Sequence, residues 1–216
     1  EIENRSKTVG DNLEKVSRTA LVGRSTEGSM IHLASLIAQS VNAIPDSDYE
    51  RVRMSKAGEG TAATSELIPG ILIEKRLALE RMPKNLLYTK VAVLSCPLEL
   101  ESSAVSSEIE ISTPEQYQAF IDEENNQIEK MIQKVKSSGA QAVFSAESID
   151  SRALHSLADS GIFAMGGLEK PIAEDVAQAC GAALCDHLDD LSNSLGHAGG
   201  LTHERLEGPE GVKERL

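Results

Sequence analysis

The longest amphipathic pattern in the chain lies between Thr113 and Gly139. Its apolar residues recur at spacings of three and four, namely Tyr117, Phe120, Ile121, Ile128, Met131, Ile132 and Val135. This spacing predicts one helical face. Thr113 is a favourable N-cap, Pro114 suits the first helical position and Gly139 a helix end. A helix of about 25 residues is roughly 37 Å long. We therefore expect the end that carries Tyr117 and Phe120 to leave the body of the domain.

The pattern before residue 66 predicts two helices and a linker. Apolar residues in 12–44 form two stripes at helical spacing, and the stretch from Gly23 to Gly28 separates them. Residues 46–63 are polar and contain Gly58 and Gly60, so we interpret them as a hinge.

From residue 66 onwards, strand patterns alternate with helix patterns. Residues 66–73 are rich in β-formers, and 98–101 and 108–111 alternate apolar with acidic residues, as half-buried strands do. Buried strands are predicted at 90–96, 140–145, 162–165 and 182–185, and helices at 151–159 and 172–180. This order predicts the α/β class, with a parallel or mixed sheet flanked by helices.

Composition narrows the possible partners. The net charge is −13, with 34 acidic and 21 basic residues, which argues against nucleic-acid binding. No apolar run approaches the ~18 residues of a membrane span, so no membrane association is expected. Cys96, Cys180 and Cys185 cannot all pair, and no secretory signal is evident. We therefore expect a reducing, cytoplasmic setting.

Six short segments follow one another in a characteristic order. They are Glu-Leu-Ile-Pro-Gly-Ile-Leu-Ile-Glu-Lys at 66–75, Arg-Met-Pro-Lys at 81–84, Lys-Val-Ala-Val-Leu-Ser-Cys-Pro-Leu-Glu-Leu at 90–100, 109–124, Ser-Ile-Asp at 148–150 with His155, and Ala-Cys-Gly-Ala at 179–182 with Asp189-Asp-Leu. In this order they resemble group II chaperonin subunits, the archaeal thermosome and its eukaryotic cytosolic relatives. The resemblance covers about 66–206 and extends weakly over 12–60.

The resemblance implies a layered apical-domain fold. Residues 1–60 would be part of a helical intermediate domain with a hinge, 61–195 the apical domain, with a helical protrusion at about 104–136, and 196–216 a return segment. Glu1 in place of Met suggests a fragment of a longer subunit, and a truncated paralogue is the alternative. The family's Gly-Asp-Gly-Thr-Thr nucleotide loop is absent from the sequence. Where many relatives carry two Arg, this chain has Gly166 and Gly167.

The function that the resemblance implies is that of a molecular chaperone. The apical domain would bind non-native polypeptides, and the protrusion would form a built-in lid of a double-ring chamber made with other subunits. ATP and Mg²⁺ would act in the parent subunit, and we expect no cofactor or metal in this chain. The candidate contact residues for a polypeptide are Ile109, Ile111, Tyr117 and Phe120 on the protrusion, with Leu154, Leu157, Lys170, Glu174 and Gln178 on two groove helices.

The sequence gives weaker support for a nucleotide, zinc or catalytic site. Gly58-Glu-Gly-Thr-Ala-Ala partly fits a dinucleotide fingerprint but lacks the preceding strand and following helix. Cys180, Cys185 and His187, with His197 or His203, lack the usual spacing of paired zinc ligands. His155 has no nucleophile motif beside it and more simply ties helices together or faces solvent. The alternatives to a chaperone are a swivelling α/β enzyme domain that uses His155 and a truncated, ATPase-free protein-binding adaptor.

Overall fold

A computed structural model describes residues 2–24, 27–44, 52–56, 60–100, 113–208 and 211–216. Its backbone divides into two compact units. The first comprises Glu1–Leu72 and Arg205–Lys213, and the second comprises Ile73–Glu204 and Glu214–Leu216. The family-based domain boundaries at residues 60 and 195 stay predictions.

The first unit contains a helical hairpin. Helix α1 spans Ile2–Leu21 and helix α2 spans Met30–Ala43, and the two pack against each other. The same unit contains two short 3₁₀ turns. One, at Glu27–Ser29, lies between the two helices, and the other, at Ala62–Thr64, comes after them in sequence. The predicted pair of helices with a break near Gly23 is confirmed.

The second unit is built on a five-stranded sheet. Strands β1 (Asn85–Leu94), β2 (Ala142–Ser145), β3 (Phe163–Met165), β4 (Leu184–Cys185) and β5 (Gly196–Thr202) form it. Strand β1 pairs in parallel with β2 and β4, β2 pairs in parallel with β3, and β5 runs antiparallel to the first half of β1. A separate two-stranded sheet joins β6 (Glu204–Gly208) to β7 (Gly211–Arg215).

Three helices connect the parallel strands. They are α3 (Pro114–Ser138), α4 (Ser151–Asp159) and α5 (Lys170–Cys180), and a 3₁₀ turn lies at Leu188–Asn193. Helix α4 packs against α3 and β3, whereas α5 packs against β1, β4 and β5. The predicted α/β class, with parallel strands flanked by helices, is confirmed.

The core of this unit is aliphatic. Val91, Ala92, Val93 and Leu94 of β1 are all buried, as expected for the central strand of a sheet covered on both faces. One aromatic pair supplements them. Phe144 and Phe163 lie with their ring centroids 5.6 Å apart. The low aromatic content therefore leaves packing to branched side chains.

Some predicted strands are not strands in the structure. No strand lies between residues 60 and 84 of the described chain, although 66–73 are rich in β-formers. Within 66–73 only Ile73 forms a pair of hydrogen bonds like that of a strand. Its N–H and C=O both bond to the backbone of Leu216 at 2.9 Å. Residues 98–100 contribute one isolated bridge, from Leu98 to Ile149, and 108–111 lie outside the described residues.

Glycine at position 196 is required by close packing. A Cβ built there would lie 2.6 Å from the backbone N of Ala182 and would also clash with the carbonyl O of Cys180. Backbone atoms cannot move aside as the end of a flexible side chain can. Gly199, on the same strand, has nothing within 4 Å of such a Cβ.

We therefore expect Gly196→Ala to lower the free energy of unfolding by about 1–3 kcal/mol, the usual cost of overpacking. Gly199→Ala is the matched control and should change it by less than about 0.5 kcal/mol. Urea denaturation followed by circular dichroism measures both. Equal stability of the two variants would contradict the packing described here.

Candidate functional site

Helix α3 is capped at both ends by the residues that the sequence singles out. The Thr113 side chain accepts a hydrogen bond from the N–H of Gln116 at 3.3 Å. Pro114 occupies the first turn, and Gly139 ends the helix in the left-handed conformation, with φ 79°. Both caps act within one turn, which is why the sequence predicts them well. The predicted helix is confirmed to the residue.

Burial divides α3 into two halves. In the C-terminal half Ile128, Ile132 and Val135 are buried in the core of the second unit. In the N-terminal half Tyr117 is 57% exposed and Phe120 is 40% exposed. All of these residues belong to one amphipathic stripe. The stripe therefore continues past the point where the body of the unit covers it.

Arg152 marks the junction between these halves. Its guanidinium donates to Asn125 Oδ1 at 2.8 Å and lies 4.0 Å from a carboxylate oxygen of Glu124. The same group pairs with Asp150 at 3.0 Å, and Asp150 also accepts from the Arg152 N–H as the N-cap of α4. The start of α4 is thereby tied to the middle of α3.

Two lysines fix the C-terminal half of α3. Lys134 forms an ion pair with Asp189 at 2.6 Å, and Lys136 donates to the Ser156 hydroxyl at 3.3 Å. In the N-terminal half, by contrast, Gln118 bonds to Asp122 within the helix itself. The anchored half can thus hold the exposed half in a defined direction.

The exposed surface also bears charge of one sign. Glu115, Asp122 and Glu123 are exposed among Tyr117 and Phe120, and residues 113–124 contain no Lys or Arg. The site is therefore an aromatic surface with acidic neighbours. Ile109 and Ile111, predicted to extend it, lie outside the described residues.

The residues predicted to line a groove lie on two helices, α4 and α5. Lys170, Glu174 and Gln178 are exposed on α5, whereas Leu154 is half-buried on α4. Helix α4 packs against α3 and β3 and helix α5 against β1, β4 and β5, and the groove between the two helices stays a prediction. One residue needs a correction. Leu157 is fully buried in the core, so it supports packing and is not available to a partner.

His155 is exposed and has an arginine partner. Arg81 Nη2 lies 2.6 Å from its Nδ1, and Arg81 Nη1 pairs with Asp159 at 2.8 Å. An arginine can only donate, so Nδ1 is the acceptor of this hydrogen bond. This arrangement ties the segment before β1 to α4, which agrees with the structural interpretation of His155.

The cysteines offer no ligand set. Burial raises the pKa of the Cys96 thiol, with Cys185 contributing next, and burial also raises the pKa of the Cys180 thiol. The Cys185 thiol donates to the carbonyl O of His187 at 2.8 Å. Over the described residues, no group of three or more His, Cys, Asp or Glu could hold a metal ion. Within the same residues no helix is long and apolar enough to cross a membrane.

The Arg152 junction was missed by sequence reasoning. Asp150 before an apolar stripe is a recognisable N-cap signal, but the bond from Arg152 to Asn125 joins residues 27 apart in sequence. No periodicity reports a contact of that kind. Tertiary packing of α3 on α4 creates it.

Comparison with known proteins places this architecture among chaperonins. The sequence profile of the TCP-1/cpn60 chaperonin family matches residues 1–212, so the chain belongs to that family. A thermosome subunit of Methanopyrus kandleri is 32% identical over 206 residues, which cover 92% of this chain and 38% of that subunit. Thermosome subunit alpha of Thermoplasma acidophilum is 33% identical over 190 residues, covering 85% and 35%.

The fold is also found in a solved chaperonin. The open-state monomer of a group II chaperonin from Methanococcoides burtonii superposes with a TM-score of 0.68 at 24% identity, over 96% of this chain and 47% of that one. The predicted resemblance to group II chaperonin subunits is confirmed. The chain spans between a third and a half of the length of these relatives.

The Asp150 carboxylate provides a pH test of the junction. Its hydrogen bonds from the Arg152 side chain, and then from the Arg152 backbone N–H, hold the pKa of Asp150 below its usual value. The folded state therefore favours the ionised form. The resulting stability is present above the unfolded pKa of about 3.9 and is lost as the pH falls through the folded pKa.

We expect Asp150→Asn, which keeps a favourable N-cap, to be less stable than the parent at pH 6. The difference should shrink below about pH 4. In an Arg152→Gln background the same change should show a smaller pH dependence, because the guanidinium is gone and only the backbone N–H bond to Asp150 remains. Urea denaturation across pH measures this cycle. If the difference between Asp150→Asn and the parent, both with Arg152 present, did not depend on pH, the result would count against the junction.

Proposed function

We propose that this chain is a polypeptide-binding part of a group II chaperonin subunit and acts as a molecular chaperone. The observation that carries the proposal is the exposed aromatic end of α3. Tyr117 and Phe120 lie on a helix whose other half is anchored by Lys134, Lys136 and the core. An exposed apolar surface held by a rigid element is typical of a protein-binding site.

The physical reason concerns what a non-native polypeptide offers. An unfolded chain exposes apolar side chains, and burying them against Tyr117 and Phe120 removes apolar area from water. Such burial is non-directional, so one surface can accept many sequences. A small exposed surface also gives weak, reversible binding for each contact, which suits a protein that must release its clients.

The polar surfaces of α4 and α5 would contribute further contacts. Leu154 is half-buried with part of its side chain accessible, and Lys170, Glu174 and Gln178 lie on the exposed face of α5. Hydrogen bonds from these side chains to a client backbone would be independent of sequence. Leu157 has no part in this proposal, because it is buried.

The remaining functions belong to the parent subunit. In the chaperonin that the family membership suggests, ATP and Mg²⁺ would bind outside this chain, and neighbouring subunits would complete a double ring. The protrusion formed by α3 would close over the chamber as a built-in lid. The polar stretch 46–63 would serve as the hinge that transmits the motion.

The truncated adaptor remains the main alternative. It would share the exposed end of α3 but act at this length without an ATPase. The length of the natural polypeptide in cell extract separates the two. The enzymatic alternative would require His155 to act on a substrate, but its Nδ1 already accepts from Arg81.

Suppression of aggregation tests the proposal directly. The intact chain, without nucleotide, is added to chemically denatured citrate synthase as it is diluted, and light scattering is followed. We expect the parent to reduce scattering and Tyr117→Ser/Phe120→Ser to lose most of that effect. The reason is that serine removes the apolar area without touching the buried half of the helix.

The matched control replaces two exposed polar residues of the same helix, Asn126→Ser/Gln133→Ser. It should suppress aggregation as the parent does, and thermal unfolding should confirm that all three proteins are folded. Equal suppression by the aromatic variant would move client binding to the surfaces of α4 and α5. Absence of suppression by the parent would reject the proposal for the isolated chain.

A second prediction concerns nucleotide. The chain lacks the Gly-Asp-Gly-Thr-Thr loop, and Gly60 is followed by a 3₁₀ turn at Ala62–Thr64 rather than by a long helix. A long helix N-terminus is what holds pyrophosphate in the dinucleotide fold. We therefore expect no binding of Mg-ATP by calorimetry at millimolar nucleotide. Stoichiometric binding would show that an ATP site exists here after all.

A further inference from the structure

A second exposed apolar pair lies far along the chain from α3. Leu87 and Tyr88, adjacent in β1, are 76% and 85% exposed. Successive side chains of a regular strand point to opposite faces, so one of the two would ordinarily be covered in a packed sheet. Here both face solvent in the described part of the chain. The first half of β1 thus presents an aliphatic and an aromatic side chain side by side.

The backbone at Tyr88 explains this arrangement and makes it costly. Tyr88 has φ 51°, and within the described residues no other residue except glycine has a positive φ. A bulky side chain in the left-handed region costs about 1–2 kcal/mol. Strained residues cluster at functional sites, so the outward position of Tyr88 points to a contact with a partner.

The neighbouring strand β5 has glycine residues beside the pair. Leu87 pairs with Gly200 of β5, and the next residue, Gly199, has nothing within 4 Å of where a Cβ would be. On the other side of β1, strand β2 begins only at Ala142, opposite Val91. Among the described strands, none therefore lies beside that edge of β1 at Leu87 and Tyr88.

The charge beside the pair is positive. Lys84 and Lys90 flank it and are exposed, and no carboxylate of the described chain pairs with either. The carboxylate of Glu204, two residues after β5, is bound by Arg215 at 2.7 Å. His197 is paired across the strands with Lys90. This basic edge is unusual in a chain of net charge −13, and it is the opposite of the acidic surface around Tyr117 and Phe120.

We propose that Leu87 and Tyr88, with Lys84 and Lys90, form a second polypeptide-binding patch that selects acidic, apolar segments of non-native chains. The proposal rests on the proposed chaperone function and adds a substrate class to it. The acidic end of α3 repels such segments, whereas the basic edge of β1 attracts them. Two patches of opposite charge would let one subunit hold clients of either sign.

The test uses Tyr88→Asn in the intact chain. Asparagine tolerates a positive φ, so this variant should unfold at the same or a higher temperature than the parent. Its affinity for reduced, carboxymethylated α-lactalbumin, which is unfolded and acidic, should fall by about fivefold or more, as for an aromatic anchor. Fluorescence anisotropy of the labelled probe measures the affinity.

Charge is tested separately. Lys84→Glu/Lys90→Glu should weaken binding of the same probe in a salt-dependent manner. Binding of reduced, carboxamidomethylated ribonuclease A, an unfolded basic chain, should change by less than about twofold with Tyr88→Asn. The Tyr117→Ser/Phe120→Ser variant should show the reverse preference and lose more of the basic probe.

The outcomes distinguish this patch from the proposed function. If the parent binds neither probe, the chaperone proposal fails and the patch fails with it. If the parent binds both and Tyr88→Asn binds as the parent does, the patch is rejected and the chaperone proposal stands. If sedimentation shows a parent dimer that Tyr88→Asn dissociates, the occupant is a second copy of this chain, which also overturns the proposal.

Discussion

The parallel pairing of β1 with β2 is the constraint on which the rest of the second unit depends. Two adjacent parallel strands cannot be joined by a tight turn, so the chain must cross the sheet through a connection of at least about a dozen residues. Here the connection runs from residue 95 to residue 141 and contains α3. Only the C-terminal half of α3 has buried residues, namely Ile128, Ile132 and Val135. The surplus length of the crossover is what allows the helix to extend beyond the sheet.

Because of this extra length, one half of α3 is buried and contributes to stability, whereas the other half is left exposed. Burial of Ile128, Ile132 and Val135 contributes on the order of 1.5–3 kcal/mol each, which holds the C-terminal half in place. The aromatic residues of the N-terminal half contribute little of this kind, because so much of their surface stays in water. The acidic side chains around them keep such a surface soluble. Arg152 lies between the two halves and ties α4 to the middle of α3 through its hydrogen bond to Asn125.

Local signals were predictable from the sequence, whereas distant contacts were not. The caps at Thr113 and Gly139 act within one turn, and the long helix follows from them. The β-rich stretch 66–73 misleads, because residues with a strand preference form a strand only when a partner is at hand. Ile73 finds one in Leu216, which is far away in sequence. Strand β5 gave no alternating signal, since Gly196, Gly199 and Gly200 carry no side chain. The resemblance likewise named Leu154 and Leu157 together as contact residues, but it could not rank their burial.

The distribution of aromatic residues gives an independent argument for a binding protein. The chain has six, three Tyr and three Phe, and Tyr49 lies outside the described residues. Of the other five, only Phe144 and Phe163 pack in the core, whereas Tyr88, Tyr117 and Phe120 are exposed. A chain short of aromatics would gain most stability by burying all of them, since each removes a large apolar area from water. Aromatic side chains are also the residues that most often dominate protein interfaces. Their placement on two separate surfaces, one of them at a strained backbone position, supports the two binding surfaces that are proposed above.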